Sequence, residues 1–174
     1  MTEIVVRAAE PSDIEAIHAI LRCPGVVANT LQLPWRPLAY TRERFGQPDA
    51  NKHALVAVVG ERVVGQLDLE VQHGPRRRDV GKFGMAVHDD FHNQGVGSAL
   101  MAAMLELADG WLGRRRLELE VWADNPAAIH LYEKFGFVIE GTGRQFGRRN
   151  GKLIDAHYMA RLRPAPSPSG RGPG

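Results

Sequence analysis

Cys23 is the only cysteine in 174 residues, so no internal disulfide can form. A chain without disulfides fits a reducing compartment, and a cytoplasmic protein is expected. No apolar run approaches the ~20 residues that a membrane span needs. The start of the chain lacks a basic stretch followed by an apolar one, so no secretory leader is expected. Neither charge dominates: 22 Lys and Arg face 20 Asp and Glu, a net charge of +2. That excess is too small to argue for a nucleic-acid surface. Internal repeats are also lacking. What is present is 44% hydrophobic residues in a length that suits one domain with a proper core.

The most informative stretch runs from Val87 to Ser98, VHDDFHNQGVGS. An apolar strand, Phe83 to Val87, precedes it. After it, Val96, Leu100, Met104, Leu107 and Trp111 recur at helical spacing, which predicts one apolar helix face. The junction is therefore a strand, a short loop with two glycines, and a helix start. Glycines allow close backbone approach, and free N–H groups at a helix start favour anions, so the junction suits a phosphate. A Walker loop would need Lys after its last glycine, and Ser98 follows Gly97. A dinucleotide fingerprint would need a third glycine where Leu100 stands.

The rest of the chain alternates elements. Ile4 to Val6 predicts a strand. A helix follows, with Ser12 and Glu15 at capping-box spacing and an apolar stripe of Ile14, Ile17 and Leu21, ended by Cys23-Pro24-Gly25. A proline-punctuated segment, Asn29 to Pro37, carries Leu31, Leu33 and Trp35. A short helix is expected around Thr41 to Phe45. Three strands then form a meander: Ala54 to Val59, Val63 to Val71, and about Asp79 to Val87. Beyond the long helix, Leu117 to Trp122 reads as a strand with Leu117, Leu119 and Val121 on one face and Glu118 and Glu120 on the other. Asn125-Pro126 has the form of an N-cap followed by a first-turn proline, and Gly136 ends that helix. Strands at about Val138 to Gly141 and Leu153 to Leu162 complete the order. The connection through Ser98 to Trp111 should make its flanking strands parallel. The expected fold is α/β: a central mixed, twisted sheet of about six or seven strands flanked by about four helices. The domain is expected over residues 1–163, with a Pro/Ser/Gly-rich disordered tail at 164–174.

Gly95 and Gly97 match motif A of the GNAT superfamily of N-acetyltransferases, Arg/Gln-x-x-Gly-x-Gly/Ala, with His92 as a departure at its first position. Downstream, Asn125-Pro126-Ala127-Ala128-Ile129-His130-Leu131-Tyr132 through Gly136-Phe137 resembles motif B of that superfamily, and Arg7 with Asp13 resembles its opening. The resemblance covers about Glu3 to Arg163. Asn29-Thr30-Leu31-Gln32, Gly141-Thr142-Gly143, Arg149-Asn150-Gly151 and Asp155 to Arg161 further resemble a bacterial branch that acetylates free L-amino acids.

That resemblance implies acetyl-CoA as cosubstrate, no metal, and direct transfer to a primary amine in a ternary complex. The expected acceptor is a small molecule, first a free L-amino acid. Alternatives are an antibiotic- or herbicide-like amine, a protein N-terminus, or a non-catalytic acyl-CoA-binding module that uses the Leu31–Trp35 segment as its partner surface. A homodimer is also expected.

By resemblance, Asn93, Gln94, Gly95, Val96, Gly97 and Ser98 occupy the pyrophosphate positions. Met85, Ala86 and Val87 sit where the strand backbone pairs with pantetheine, and Asn125 also contacts it. In the family a bulge in that strand splays two parallel strands and aims an N–H at the thioester carbonyl, a preorganised oxyanion donor. Glu120 stands where some members place a general base, with Glu118, Glu70, Asp68 and His88 as rivals. A base is needed because only ~1 in 2,500 lysine-like amines is neutral at pH 7. Tyr132, two helical turns after Asn125, is the expected general acid for the thiolate and lies near the coenzyme sulfur. Asn29, Leu31 and Trp35 are expected to bind the acceptor.

Other signals have plainer readings. His88 and His92 lie in a loop, where a metal pair at that spacing would want a helix. Cys23 reads as a buried structural thiol. The arginine runs 76–78 and 114–116 read as solvated turns, or as grips for a 3′-phosphate or carboxylate.

Overall fold

The computed structural model describes residues 3–164. Of the expected tail, all but Pro164 lies outside the described residues. Among the described residues seven strands form a single sheet in the order β1-β2-β3-β4-β5-β7-β6. These are β1 (Ile4–Ala8), β2 (Lys52–Val59), β3 (Arg62–Val71), β4 (Val80–Val87), β5 (Arg116–Trp122), β6 (Val138–Arg149) and β7 (Lys152–Leu162). Every pairing is antiparallel except β4 with β5. That parallel pair is the one predicted from the helical crossover between its strands.

Among the described residues five helices flank the sheet, one more than expected: α1 (Ile14–Leu21), α2 (Pro24–Asn29), α3 (Leu38–Phe45), α4 (Val96–Glu106) and α5 (Pro126–Lys134). The addition is α2. Cys23-Pro24-Gly25 does not merely stop a helix. Pro24 opens the next one, because its fixed φ and missing N–H suit a first position. The N–H of Gly25 is held by Asp89 Oδ2 at 2.8 Å.

The first helix is capped differently from the sequence expectation. Pro11 takes the first position of a 3₁₀ turn, Pro11–Asp13, so the box falls on Glu10 and Asp13 instead of Ser12 and Glu15. The Glu10 N–H donates to Asp13 Oδ2 at 2.7 Å, and Arg7 grips the same carboxylate with bonds of 2.6 and 2.9 Å. The Arg7 hydrogen bond holds the buried Asp13 carboxyl below the usual carboxylate range. A depressed folded pKa gives stability that is full above the unfolded value of ~3.9 and is lost as pH falls through the folded value. Asp13→Asn should therefore lower Tm at pH 7 by about 2–4 °C, with the gap to the parent closing in strong acid. Thermal unfolding from pH 7 down to pH 2 checks this.

Two apolar layers cover the sheet. On one face α4 and α5 bury Leu67, Leu69, Phe83, Leu100, Met104, Leu117 and Phe137. On the other, α1 and α2 pack Ile17, Ile20, Cys23 and Val26 against Val56 and Ala86. Helix α4 lies close to β3 at Gly65, where an added Cβ would sit 2.8 Å from Val96. The apolar stripe of α4 stops short of Trp111, which is 79% exposed. A π-helical turn, Leu107–Trp111, intervenes, with the Leu112 N–H on the Leu107 carbonyl at 3.0 Å. Its wider turn rotates Trp111 off the face, and Ala108 is buried instead.

The β6–β7 hairpin is longer than the sequence suggested. Asn150 and Gly151 turn it with φ of 48° and 79°, the positive values that a tight Asn-Gly hairpin turn requires.

Candidate active site

Strands β4 and β5 pair only from Val80–Lys82 to Arg116–Glu118, then diverge. The bulge that the resemblance implied in β4 is not the cause: its pairing with β3 runs without a shift from Val71↔Gly81 to Gly65↔Val87. The divergence opens a cleft of about 1120 Å³ through the sheet.

Alternation along the strands gives the cleft two sides. Phe83, Met85 and Val87 belong with Tyr132 to the α4/α5 face. Ala86 belongs to the α1/α2 face. Gln66, Asp68 and Glu70 on β3 stand opposite Ala86, Gly84 and Lys82 on β4, and so share that second face. All of these residues line the cleft.

The glycine loop forms one end. Asn93 and Gly95 both have positive φ, 58° and 86°. Helical bonding begins with the Ala99 N–H on the Gly95 carbonyl at 3.0 Å, so the N–H groups of Val96, Gly97 and Ser98 precede the ladder. Such a loop and helix start form an anion cradle. The cradle is narrow: a Cβ on Gly97 would sit 3.0 Å from Leu131 Cδ2 and 3.6 Å from Met85 Cε. These features fit a pyrophosphate. Gln94 is the one expected loop residue that does not line the cleft; its side chain donates back to the Asp90 carbonyl at 2.9 Å.

Asn125 caps α5, its side-chain oxygen accepting from the Ala128 N–H at 3.2 Å, and it also lines the cleft. Tyr132 lies edge-on to Phe83 and Phe137, at centroid distances of 5.9 and 6.2 Å. Burial pushes its phenol up to about 12.

The carboxylates differ in their partners. Glu120 receives a hydrogen bond from Lys82 at 2.9 Å. Glu118 is held by Arg77 and Arg116 at 2.8 and 2.6 Å. Asp68 accepts from Arg44 at 3.3 Å through Oδ2, while its Oδ1 has no hydrogen-bond partner among the described residues. Burial raises the Asp68 carboxyl above its usual range, against the pull of Arg44. Gln66, 4% exposed, likewise has an unpartnered Oε1. The sequence marks Asp68 as a rival base but not Gln66, although Gln66 shares the alternating polar face of β3 with Asp68 and Glu70.

Asn29 and Leu31 line the cleft, but Trp35 does not. Trp35 is 85% exposed, with φ of 59°. The turn at Pro34 and Trp35 points it outward, so the structure separates it from the other expected acceptor residues. His88 caps the 3₁₀ turn Asp89–Phe91, its Nδ1 accepting from the Asp90 N–H at 3.2 Å. Among the described residues no group of three or more His, Cys, Asp or Glu is arranged to hold a metal ion. Three of the six arginines in the two runs are engaged among the described residues: besides the bonds of Arg77 and Arg116 to Glu118, Arg116 also binds Glu140 at 3.0 Å, and Arg114 reaches the Arg78 carbonyl. Arg161, from the segment that resembles the amino-acid branch, pairs with Asp109 at 2.9 Å as framework.

A splayed parallel pair joined by a glycine loop and α4, with the capped helix α5 after it, defines a class. The family model described as "Acetyltransferase (GNAT) family" matches residues 14–137. The chain belongs to that family and is an N-acetyltransferase. It is 47% identical to the L-amino acid N-acetyltransferase AaaT of Escherichia coli (strain K12), over 94% of this chain and 100% of that one. Among solved structures, a GNAT-family acetyltransferase from Streptococcus pneumoniae superposes with a TM-score of 0.78 at 28% identity, over 92% of this chain and 99% of the other. The fold is also shared with spermidine N-acetyltransferase from Vibrio cholerae, solved in complex with CoA and spermine. There the TM-score is 0.81 at 23% identity, over 91% and 95% of the two chains.

Proposed function

We propose that the chain transfers the acetyl group of acetyl-CoA directly to the α-amino group of a free L-amino acid. One observation carries this: the cleft through the sheet joins the phosphate cradle and Tyr132 on one face to a polar acceptor wall on the other. The name of the relative that is 47% identical supports the acceptor class, and the CoA bound by a protein of the same fold supports the cosubstrate.

Acetyl-CoA supplies an activated thioester. The backbone of Asn93 to Ser98 binds its pyrophosphate, and Met85 and Val87 offer strand-edge groups to the pantetheine arm and an N–H to the thioester carbonyl, while Ala86, paired through its backbone with Gln66, borders the arm with its side chain. Asn125 borders that arm. Glu120 draws the proton from the acceptor ammonium, with Lys82 holding its carboxylate in place. Tyr132 gives its proton to the leaving sulfur. A phenol near 12 is a weak donor, but the same desolvation raises the thiol's pKa too and narrows the gap. Asn29 and Leu31 border the acceptor side. No metal takes part. The reading also makes the enzyme cytoplasmic and homodimeric. No helix among the described residues is long and apolar enough to cross a membrane. Strand β6 is an edge of the sheet, and its exposed start at Val138 and Ile139 offers an edge to a second copy.

Initial rates with acetyl-CoA and each of the common L-amino acids varied together test the scheme. Direct transfer predicts intersecting reciprocal plots; parallel plots would indicate an acetyl-enzyme, and no turnover with any amino acid would remove the acceptor class. Trp35→Ala discriminates within the acceptor segment. Its exposure outside the cleft predicts acceptor and acetyl-CoA KM values within twofold of the parent. A selective rise in acceptor KM would bring Trp35 back into the site.

A further inference from the structure

We infer that the α-ammonium group of the acceptor docks on Asp68 Oδ1 and Gln66 Oε1, with its carboxylate on Arg44. This rests on the reading of a free amino acid as acceptor and names the residues that would select one.

Asp68 and Gln66 are next but one along β3, on the face of the cleft away from Tyr132. Each has an oxygen with no hydrogen-bond partner among the described residues. Buried acceptors left unpaired cost stability, and natural structures keep few of them. An ammonium group is the complementary ligand, with three donors and no acceptor. The residue opposite Asp68 on β4 is Gly84, and Oδ1, 3.7 Å away, is the one atom of the described residues, chain neighbours aside, within 4 Å of the place a Cβ would take there. The small floor of Gly84 and Ala86 adjoins the strand edge proposed to hold the thioester.

Arg44 completes the set. It spends one N–H on Asp68 Oδ2 at 3.3 Å, and no other hydrogen bond from its guanidinium is made to the described residues. A guanidinium has five N–H donors in a planar fork that suits a carboxylate. Asp68 and Arg44 thus present opposite charges side by side, as does the head of a free amino acid. A polyamine has no carboxylate, and a protein N-terminus has an amide in its place.

The test uses the free L-amino acid that the parent turns over fastest, its primary amide, and its desamino acid as a competitive inhibitor. Asp68→Asn should raise the KM of acid and amide alike on the order of tenfold, with acetyl-CoA KM unchanged and the desamino acid binding no more weakly. Arg44→Met should raise the KM of the free acid by a similar factor, weaken the desamino acid, and leave the amide within twofold. Gln66→Met should follow Asp68→Asn, and carries the ammonium arm if Asp68→Asn fails to fold. Asp68→Asn and Gln66→Met within twofold of the parent for both acceptors would mean that the two oxygens bind only water, overturning the ammonium site. Arg44→Met acting equally on acid and amide would overturn the carboxylate site. A parent that acetylates no free amino acid overturns the reading beneath, a result distinct from an active parent with indifferent variants.

Discussion

Gly97→Asp should abolish acetyl-CoA binding while the protein still folds. Gly97 is the second residue of α4, among the N–H groups that precede its hydrogen-bond ladder. A carboxylate there would face the pyrophosphate at close range. Juxtaposing like charges costs several kcal/mol, so affinity should fall by more than ~100-fold. Steric and electrostatic effects separate with Gly97→Ala. Its methyl would press on Leu131, 3.0 Å away, a contact that a small movement of one flexible side chain relieves. Calorimetry should find a much smaller loss for Ala than for Asp, with both variants retaining a cooperative melting transition. Unchanged affinity in Gly97→Asp would remove the loop from the coenzyme site.

Tyr132→Phe should lower kcat by about 10²–10⁴-fold, the usual range for general-acid catalysis. The variant keeps the ring that packs on Phe83 and Phe137 and removes only the hydroxyl. That hydroxyl makes no hydrogen bond to the described side chains or backbone, so its loss should leave the fold and coenzyme affinity intact. The deficit should fall on kcat and kcat/KM alike, since the proton is transferred only in the transition state. Steady-state rates across pH, alongside melting curves, are the measurement. A variant within twofold of the parent in kcat would mean that water protonates the thiolate and that Tyr132 is a core aromatic.

The features that the sequence made legible are those fixed by local chemistry. Asn125-Pro126 announces a capped helix because the cap bond and the proline geometry lie within four residues. The strand–glycine–helix junction is likewise local, and the single parallel pair follows from a crossover helix. Features set by distant contacts, or by turns that residue type and spacing do not announce, were hidden. Helix α2 is only six residues long, and its Gly25 N–H is held by Asp89, 64 positions away. The π turn that swings Trp111 into solvent keeps the apolar spacing while changing the residues per turn. Trp35 read as a pocket residue from its type, but a local turn aims it outward. The splay of β4 from β5 followed from the resemblance, but its form did not: β4 keeps its register with β3 while β5 parts from it after Lys82. Asp68 and Gln66 illustrate the same limit: their strand position predicts a face, and only the fold shows two unpartnered oxygens beside Gly84.

A competition for labelled acetyl groups tests the acceptor class of the enzyme. The enzyme is given ¹³C-acetyl-CoA and an equimolar mixture of free L-amino acids, spermidine, phosphinothricin and a short peptide with a free N-terminus. Mass spectrometry then reads which amines carry the label and how much CoA is released. Label should appear on the α-nitrogen of free amino acids, with one CoA released for each product. Label confined to the peptide or the polyamine, or coenzyme bound with no amine acetylated, would contradict it.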